Sequence, residues 1–329
     1  MRTPPTLPRH QHGALLILLV IALGVLAAAV FVGMLSSSDI QNQRDKTTAA
    51  ALAEAKTALI GRAVRDDNRP GSLPCPDTNN DGSAELFTGT QCPSYIGRLP
   101  WRTLGLPDLR DGYGERLWYV LSNNLRDDAS AQPINSDTSL TIQVYASDKV
   151  TPLTSAGNEA AAVIFSAGPV LNGQTRDTAN ENIATNYLEK TGTSPSDFNN
   201  AIATGPSIQG PVKDSAGNIV VNDKLLIITR RDLFSMVERR IASSIIGTGT
   251  APSTGLRYYY GNHTAYPVGP VDYGSLGYDT YTKSMLINNK WDIVVSYAAP
   301  NPGNSAQLTM PKYCTASTTS GLAGVITCN

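Results

Sequence analysis

The feature that most constrains this chain is an apolar run near its N-terminus. The segment ALLILLVIALGVLAAAVFVGMLSSS, residues 14–38, contains no charged residue. At about 1.5 Å per residue, a helix of this length reaches across a hydrocarbon core about 30 Å thick. Arg2 and Arg9 precede the run, and positive charge before a first membrane helix keeps that end in the cytoplasm. The run therefore predicts a single membrane span with the remaining chain outside.

Three ways of processing this segment are open. A signal peptidase would cut after the alanines at 27–29, which satisfy an A-x-A rule, although the apolar run continues to Met34. In the second alternative, the run stays uncut as an anchor. In the third, the chain is cut between Gly13 and Ala14, and the whole helix stays on the mature protein.

A short basic leader that ends in glycine, followed by an unbroken apolar helix, resembles the N-terminus of type IV pilins and type II secretion pseudopilins. The resemblance implies that a prepilin peptidase cuts after Gly13 and methylates the new N-terminus at Ala14. The family usually has glutamate at the fifth mature residue, where this chain has Leu18. Together with the chain length of 329 residues, this departure implies a large, atypical minor subunit.

The region beyond the run predicts a stalk and a globular body. Residues 38–63 contain no proline and carry an apolar stripe that predicts a helix. The stripe consists of Ala49, Leu52, Ala53, Leu59, Ile60 and Ala63. ERLWYVLS, LTIQVYA and AAVIFSAGPVLNG are typical of strands. DGYGERLWYV and IFSAGPVLNG also resemble the pseudopilin turn-and-strand segments with Asp-x-x-Gly and Ser-x-Gly turns.

The predicted fold class is α+β, with a long N-terminal membrane and stalk helix packed on an antiparallel sheet. LLIITRRDLFSMVERRIASSI predicts a strand, a cap at Asp232 and a helix, and so a candidate second pilin-like α+β unit. Tyr258–Tyr260 predict a half-buried strand. The predicted organisation is a leader (1–13), a transmembrane and stalk helix (14–63), a first α+β unit (64–171), a polar insertion or linker (172–222) and a second globular unit (223–329).

The four cysteines predict disulfides. They form two local pairs in the sequence, with no CxxC and no zinc-like spacing. Of the three connectivities, we favour the nearest-neighbour one, Cys75 with Cys92 and Cys314 with Cys328. Disulfides require an oxidising compartment. With the apolar run, they predict a single-pass protein of the bacterial inner membrane, with its C-terminal region in the periplasm and later in a filament or at the cell surface.

One loop predicts a structural calcium ion. CPDTNNDGSAE places Asp77, Asn79 and Asp81 at alternate positions, followed by a glycine and then Glu85. Alternate oxygen side chains and a glycine are typical of calcium loops. Thr88 stands at position twelve, where a full calcium loop has glutamate. The alternative is an Asx-rich turn that needs no ion, closed by a disulfide.

Composition argues against catalysis and nucleic-acid binding. His263 is the single histidine after the apolar run, and no phosphate-binding loop or nucleophile elbow occurs. The net charge is −1. We therefore expect a structural subunit rather than an enzyme, with other pilin-like subunits, the prepilin peptidase and the inner membrane as partners. The alternative is a tethered or tip-located adhesin.

Overall fold

The computed structural model describes residues 12–128, 132–194, 197–250, 253–301 and 303–329. Over these residues the helices are α1 (His12–Arg65), α2 (Arg230–Ile246), α3 (Gly255–His263), α4 (Thr280–Asn288) and α5 (Trp291–Val294). The strands are β1 (Ile96–Arg98), β2 (Trp118–Leu121), β3 (Val144–Tyr145), β4 (Ala160–Ser166), β5 (Ser207–Ile208), β6 (Val212–Lys213), β7 (Ile219–Val221), β8 (Lys224–Thr229), β9 (Ser296–Asn301), β10 (Ser305–Thr309), β11 (Cys314–Thr319) and β12 (Val325–Cys328).

The predicted fold class is wrong. We expected an α+β fold with a membrane and stalk helix on one antiparallel sheet, and a candidate second pilin-like unit. The described part of the chain is a mixed α/β structure with twelve strands in four sheets, and one of these sheets, β3–β5, is parallel. The prediction failed because local strand patterns do not show which strands pair over long distances in the sequence.

The predicted membrane span is also corrected. Among the residues that the structure describes, no helix combines the length and the apolar character that crossing a membrane requires. The predicted inner-membrane anchor is therefore unsupported. The prediction rested on the absence of charge over residues 14–38. Within that run the structure describes the side chains of residues 16–28, 30 and 38, and the longest continuous stretch of these is shorter than the roughly 20 consecutive apolar residues that a span requires.

α1 packs on the body through its C-terminal half. The buried side chains share one helix face and are Thr48, Ala51, Leu52, Ala55, Leu59 and Ala63. This part of α1 contacts β4, β8 and α2. Lys56 Nζ donates to the Asp232 carboxylate at 2.8 Å and to the Ile227 carbonyl oxygen at 2.9 Å. Ala49 and Ala53, which belong to the predicted stripe, are exposed.

The first sheet has the order β1-β2-β4-β8 and is antiparallel throughout. All seven residues of β4 are buried. On one face, Ile164 shares a core with α1 and α2, and on the other, Val163 and Phe165 pack with Tyr187 and Leu188. The polar insertion therefore contributes a layer over the sheet. β8 lies in the predicted second unit and pairs with β4.

The second sheet is an antiparallel meander with the order β12-β11-β10-β9. Ala306, Leu308 and Ala316 belong to the same core as the buried face of α2, and α2 contacts β11 and β12. α2 therefore lies between the two four-stranded sheets. Tyr258–Tyr260, predicted as a strand, lie in α3, because tertiary packing around the buried Leu256 overrides aromatic strand propensity.

α2 begins with a capping box. Thr229 is the N-cap, its side chain accepts from the Asp232 N–H, and the Asp232 carboxylate accepts from the Thr229 N–H at 2.9 Å. These reciprocal bonds satisfy backbone donors that the first helical turn leaves open. The prediction that Asp232 is the N-cap is wrong by three residues, because Asp232 occupies the third helical position.

Glu238 is a fully buried carboxylate in the middle of α2. It accepts from Ser136 Oγ at 2.5 Å and from the backbone N–H groups of Lys312, Tyr313 and Cys314 at 3.0, 2.7 and 2.8 Å. Hydrogen bonds to a charged acceptor are stronger than those between neutral groups. Glu238 therefore fixes the start of β11 and the loop at 136 onto one turn of α2.

We expect Glu238→Gln to destabilise the protein by about 2–4 kcal/mol, because one acceptor oxygen becomes an NH₂ donor that faces other buried donors. Urea unfolding followed by tryptophan fluorescence measures the loss. The neighbouring Arg239 is exposed, so Arg239→Gln is the matched control and should stay within about 0.5 kcal/mol of the wild type. Equal stability of the two variants would contradict the assigned role of Glu238.

Candidate functional site

The N-terminal part of α1 presents apolar side chains all round the helix. The large apolar residues described between 16 and 30 are 55–66% exposed. They are Leu16, Ile17, Leu18, Leu19, Val20, Ile21, Leu23, Val25, Leu26 and Val30. A helix that is apolar on every side is normally covered by something else. This stretch, which we call the free apolar segment (residues 16–30), is therefore a candidate assembly surface.

The predicted processing site lies at the beginning of α1. Gly13 and Ala14 are in its first turn. Residues 1–11 of the predicted leader lie outside the described residues. Cleavage between Gly13 and Ala14 stays a prediction.

The prediction of disulfides is confirmed. The structure joins Cys75 to Cys92 with a Cα–Cα distance of 5.5 Å, and Cys314 to Cys328 with a distance of 4.1 Å. The second bond links facing residues of β11 and β12. Because disulfides persist in oxidising compartments, they favour an extracellular or periplasmic location.

The acidic loop holds itself together through its own side chains. Asp77 is 1% exposed, and its carboxylate accepts from the backbone N–H groups of Asn79, Asn80 and Gly82 at 3.1, 2.6 and 2.7 Å. Burial raises the pKa of Asp77, while these hydrogen bonds act in the opposite direction. Glu85 points back to Thr78 and accepts from its N–H and hydroxyl at 3.0 and 2.7 Å.

The remaining two calcium candidates also bond locally. The Asn79 side-chain oxygen accepts from the Asp81 N–H at 2.9 Å, and the Asp81 carboxylate accepts from the Ser83 N–H at 2.6 Å. Within the described part of the chain, no three His, Cys, Asp or Glu side chains form a group able to hold a metal ion. The contacts are those of the Asx-rich turn.

Calcium binding at this loop stays a prediction. If an ion binds there, 1 mM Ca²⁺ will raise the melting temperature relative to EDTA by about 4 °C or more, because a ligand that binds only the folded state stabilises it. The exposed Asp81 offers a variant, Asp81→Asn, that removes one charged ligand and should remove the shift. A melting temperature that does not depend on Ca²⁺ would show that hydrogen bonds alone hold the loop.

Asp111 joins the two turn motifs, Asp-x-x-Gly and Ser-x-Gly, that resemble pseudopilin segments. Its carboxylate is buried and accepts from the backbone N–H groups of Tyr113 and Glu115 within its own turn, at 2.9 and 3.0 Å. It also accepts from Ser166 Oγ at 2.7 Å and from the Gly168 N–H at 3.2 Å. The sequence motifs thus meet in space through one carboxylate, which short-range patterns did not predict.

The turn at Asp111 is pressed against α1. The Gly112 N–H donates to Thr48 Oγ1 at 3.0 Å, and a Cβ atom at Gly112 would come within 2.2 Å of the Arg44 carbonyl oxygen. A larger residue at 112 would therefore force the turn away from the helix. Tyr113 OH donates to the Gln41 side chain at 3.0 Å. The body thus contacts α1 as far towards its N-terminus as about residue 41, and the free apolar segment lies on the N-terminal side of that residue.

A cleft of about 790 Å³ opens in the insertion. It lies between the loop after β4, the segment around 185–190 and the β6–β7 hairpin. Its polar lining residues include Asn172, Gln174, Thr185, Glu189, Asn199 and Asn218. Leu188 and Ala201 are buried at its base, whereas Val170 and Ile219 are 57% and 46% exposed at its edge. Its volume lies within the range that is usual for small-molecule sites, and its lining is more polar than most.

Two buried carboxyl groups stand beneath this cleft. Glu189 lines it, and Gln174 Nε2 and the Asn222 N–H donate to its carboxyl at 2.6 and 2.9 Å. Asp223 is fully buried and accepts from Asn200 Nδ2 at 2.8 Å and from the Glu189 N–H at 3.0 Å. Burial raises the pKa of both carboxyl groups, and the nearby Glu189 charge raises the pKa of Asp223 further.

Arg98 fastens the insertion to the first sheet. Its guanidinium lies between two aromatic rings, 4.1 Å from the Trp118 centroid and 4.0 Å from the Tyr187 centroid. Its Nη2 also donates to the Glu181 carbonyl oxygen at 2.7 Å. Burial lowers the pKa of Arg98 to about 10, so it stays charged at neutral pH. A cation held between two rings is a stabilising arrangement that links distant segments.

The sequence reading did not find the cleft or its carboxyl pair. Residues 172–222, the predicted polar insertion or linker, contain the buried Tyr187, Leu188 and Val221. The signal that could have identified the carboxyl pair is an acidic residue close to apolar residues. Glu189 follows Tyr-Leu, and Asp223 follows Val-Val-Asn. Comparison with known proteins finds no matching protein family, no similar curated protein and no matching solved structure.

The carboxyl pair makes stability fall as the pH rises. The unfolded chain releases these protons from about pH 4 upward, whereas the folded chain holds them to higher pH. The stabilisation that the pair contributes is therefore fully present below about pH 4, and it is lost as the pH rises towards the pKa values of the folded state. Asp223→Asn should flatten this dependence, measured by urea unfolding between pH 4 and 8.

The exposed Asp214 in the β6–β7 hairpin offers the matched control, Asp214→Asn. Hydrogen bonds from Asn218 lower the pKa of Asp214, so its carboxylate is not the cause of a loss of stability as the pH rises above 4. The role of the pair is contradicted if Asp223→Asn keeps the wild-type slope over this pH range.

Proposed function

We propose that this chain is a pilin-like structural subunit, a minor pilin or pseudopilin of a type IV pilus or type II secretion filament. The observation that carries the proposal is the free apolar segment of α1, which extends beyond the part of the helix that contacts the body. A structural rather than a catalytic role follows from this assignment.

Assembly would cover the free apolar segment. Ten exposed large apolar side chains in fifteen residues leave a wide apolar surface in water. Burying such a surface is favourable at roughly 25 cal/mol per Å². Packing against the same segment of neighbouring subunits would bury it on all sides at once, as a filament core does. We propose other pilin-like subunits as the partners that cover it.

The N-terminal sequence supports the same proposal. Gly13 and Ala14 stand where the resembled family is cut by its prepilin peptidase and methylated. Leu18 replaces the glutamate that the family usually has, so this subunit would bring no buried carboxylate to the core. A subunit without that charge suits a minor position better than the repeating position of a major subunit.

A tip-located adhesin or binding protein is the second candidate function. The observation that favours it is the cleft of about 790 Å³ in the insertion, since a purely structural subunit needs no such cavity. The two candidates are compatible, because a subunit can assemble through α1 and bind a ligand through its body.

The N-terminus of the mature protein tests the main proposal. We expect mass spectrometry of the protein from its native cells to find a methylated N-terminus at Ala14. An N-terminus after residue 29 would indicate a signal peptide, and an uncut chain would indicate a plain anchor. Either result contradicts the proposal.

Charge in the free apolar segment gives a second test. In cells that carry the filament system, Leu19→Asp should remove the subunit from sheared filaments, because an unpaired charge between packed helices is costly. Gln43→Asp, on the exposed polar part of α1, is the matched control and should assemble normally. Normal assembly of Leu19→Asp at equal cellular abundance would contradict the assigned role of the segment.

A further inference from the structure

The cleft in the insertion has few ionisable groups in its lining. Among its lining residues these are Glu189, which is buried and hydrogen-bonded, and Lys190, which is exposed. The other polar groups are the amides of Asn172, Gln174, Asn199 and Asn218 and the hydroxyl of Thr185. A lining made mainly of amides and a hydroxyl offers both donors and acceptors, which fits a neutral, hydroxyl-rich molecule better than an ion.

Several of these groups are available to a ligand. Within the described part of the chain, the exposed side chains of Asn172 and Thr185 make no hydrogen bond. The Asn199 side chain uses its oxygen to accept from the Ala201 N–H at 2.9 Å, which leaves its NH₂ group to donate. The Asn218 side chain donates to Asp214 at 3.1 Å, which leaves its oxygen to accept. The opening therefore offers both donors and acceptors to a ligand.

Apolar atoms lie between these polar groups. Leu188 and Ala201 form the base, and Val170 and Ile219 project at the edge with much of their surface exposed. A sugar ring carries hydroxyl groups around its rim and C–H groups on its faces, so it can use both parts of such a lining. The volume of about 790 Å³ is large enough for two or three sugar rings.

The base of the cleft is held rigidly. Gln174 donates to Glu189 at 2.6 Å and accepts from Arg176 Nη2 at 2.7 Å. Asn200 Nδ2 donates to both the Ile208 carbonyl oxygen and the Asp223 carboxyl group, at 2.9 and 2.8 Å. A base that is ordered before binding lowers the entropic cost of binding.

We propose that this cleft binds a neutral saccharide of two or three rings. The proposal deepens the second candidate function, binding by a tip-located subunit, and names the ligand class. It rests on the body of the protein alone and does not depend on cleavage at Ala14 or on assembly.

Saturation-transfer NMR and calorimetry on the purified full chain test the proposal. The probes are maltotriose and chitotriose as neutral sugars and trigalacturonic acid as an anionic sugar, together with an array of neutral and anionic glycans. We expect saturation transfer to at least one neutral probe or array glycan and none to the anionic trimer. Absence of binding to every neutral glycan, or equal binding of anionic ones, overturns the proposal.

Variants at the opening locate the site. Thr185→Trp should fill the opening and weaken binding by more than about tenfold, whereas Asn182→Trp, on an exposed residue outside the lining, should leave it unchanged. Asn172→Ala removes one free amide with little effect on folding and should weaken binding by about three- to tenfold. Melting curves confirm that each variant is folded.

The outcomes separate the two proposals. Glycan binding that is unaffected by Thr185→Trp overturns the cleft as the site. Displacement of the bound glycan by an unrelated peptide, but not by free sugar, overturns it as well. An N-terminus at Ala14 with no glycan binding overturns the saccharide proposal and leaves the subunit proposal intact. Glycan binding with an N-terminus after residue 29 does the reverse.

Discussion

The carboxylate of Glu238 is the interaction on which the rest of the structure depends. It lies within α2, the helix that separates the two four-stranded sheets, and it receives hydrogen bonds from the loop at Ser136 and from three successive amides before and at β11. Apolar contacts between α2 and the sheets are not directional, so they leave sliding and rotation open. Four hydrogen bonds to one buried charge fix the position of the second sheet along α2.

Buried polar interactions also attach other loops and the insertion to the body. Asp111 accepts from Ser166 and thus ties the turn before β2 to the end of β4, and Arg98 lies between Trp118 and Tyr187 and ties the insertion to the sheet. Asp223 accepts from Asn200 beneath the cleft. Buried polar groups that are hydrogen-bonded to distant segments favour one arrangement, because displacement leaves them unpaired. The insertion is therefore an ordered layer that covers the outer face of β4.

Patterns over short distances predicted well where the physics is local. The strand in AAVIFSAG, the helix after Thr229 and the pairing of nearby cysteines each depend on neighbours in sequence. The sheet order could not be predicted this way, because β4 and β8 pair across the whole insertion. Asp223 and Glu189 were equally hidden, since a carboxyl group inside a core depends on partners such as Asn200 and Gln174, which no periodicity identifies. At Tyr258–Tyr260 propensity favoured a strand, and packing made a helix.

The position of β8 in the chain limits how this protein can be divided. β4 is buried along its whole length, and its second hydrogen-bonding edge is occupied by a strand that begins at Lys224. A fragment that stops before Lys224 would expose the unpaired N–H and C=O groups of β4 beside a run of valine, isoleucine and phenylalanine, which is a template for edge-to-edge aggregation. Recombinant pieces and proteolytic products of the body will stay soluble only if they extend through Thr229 and the helix that follows it.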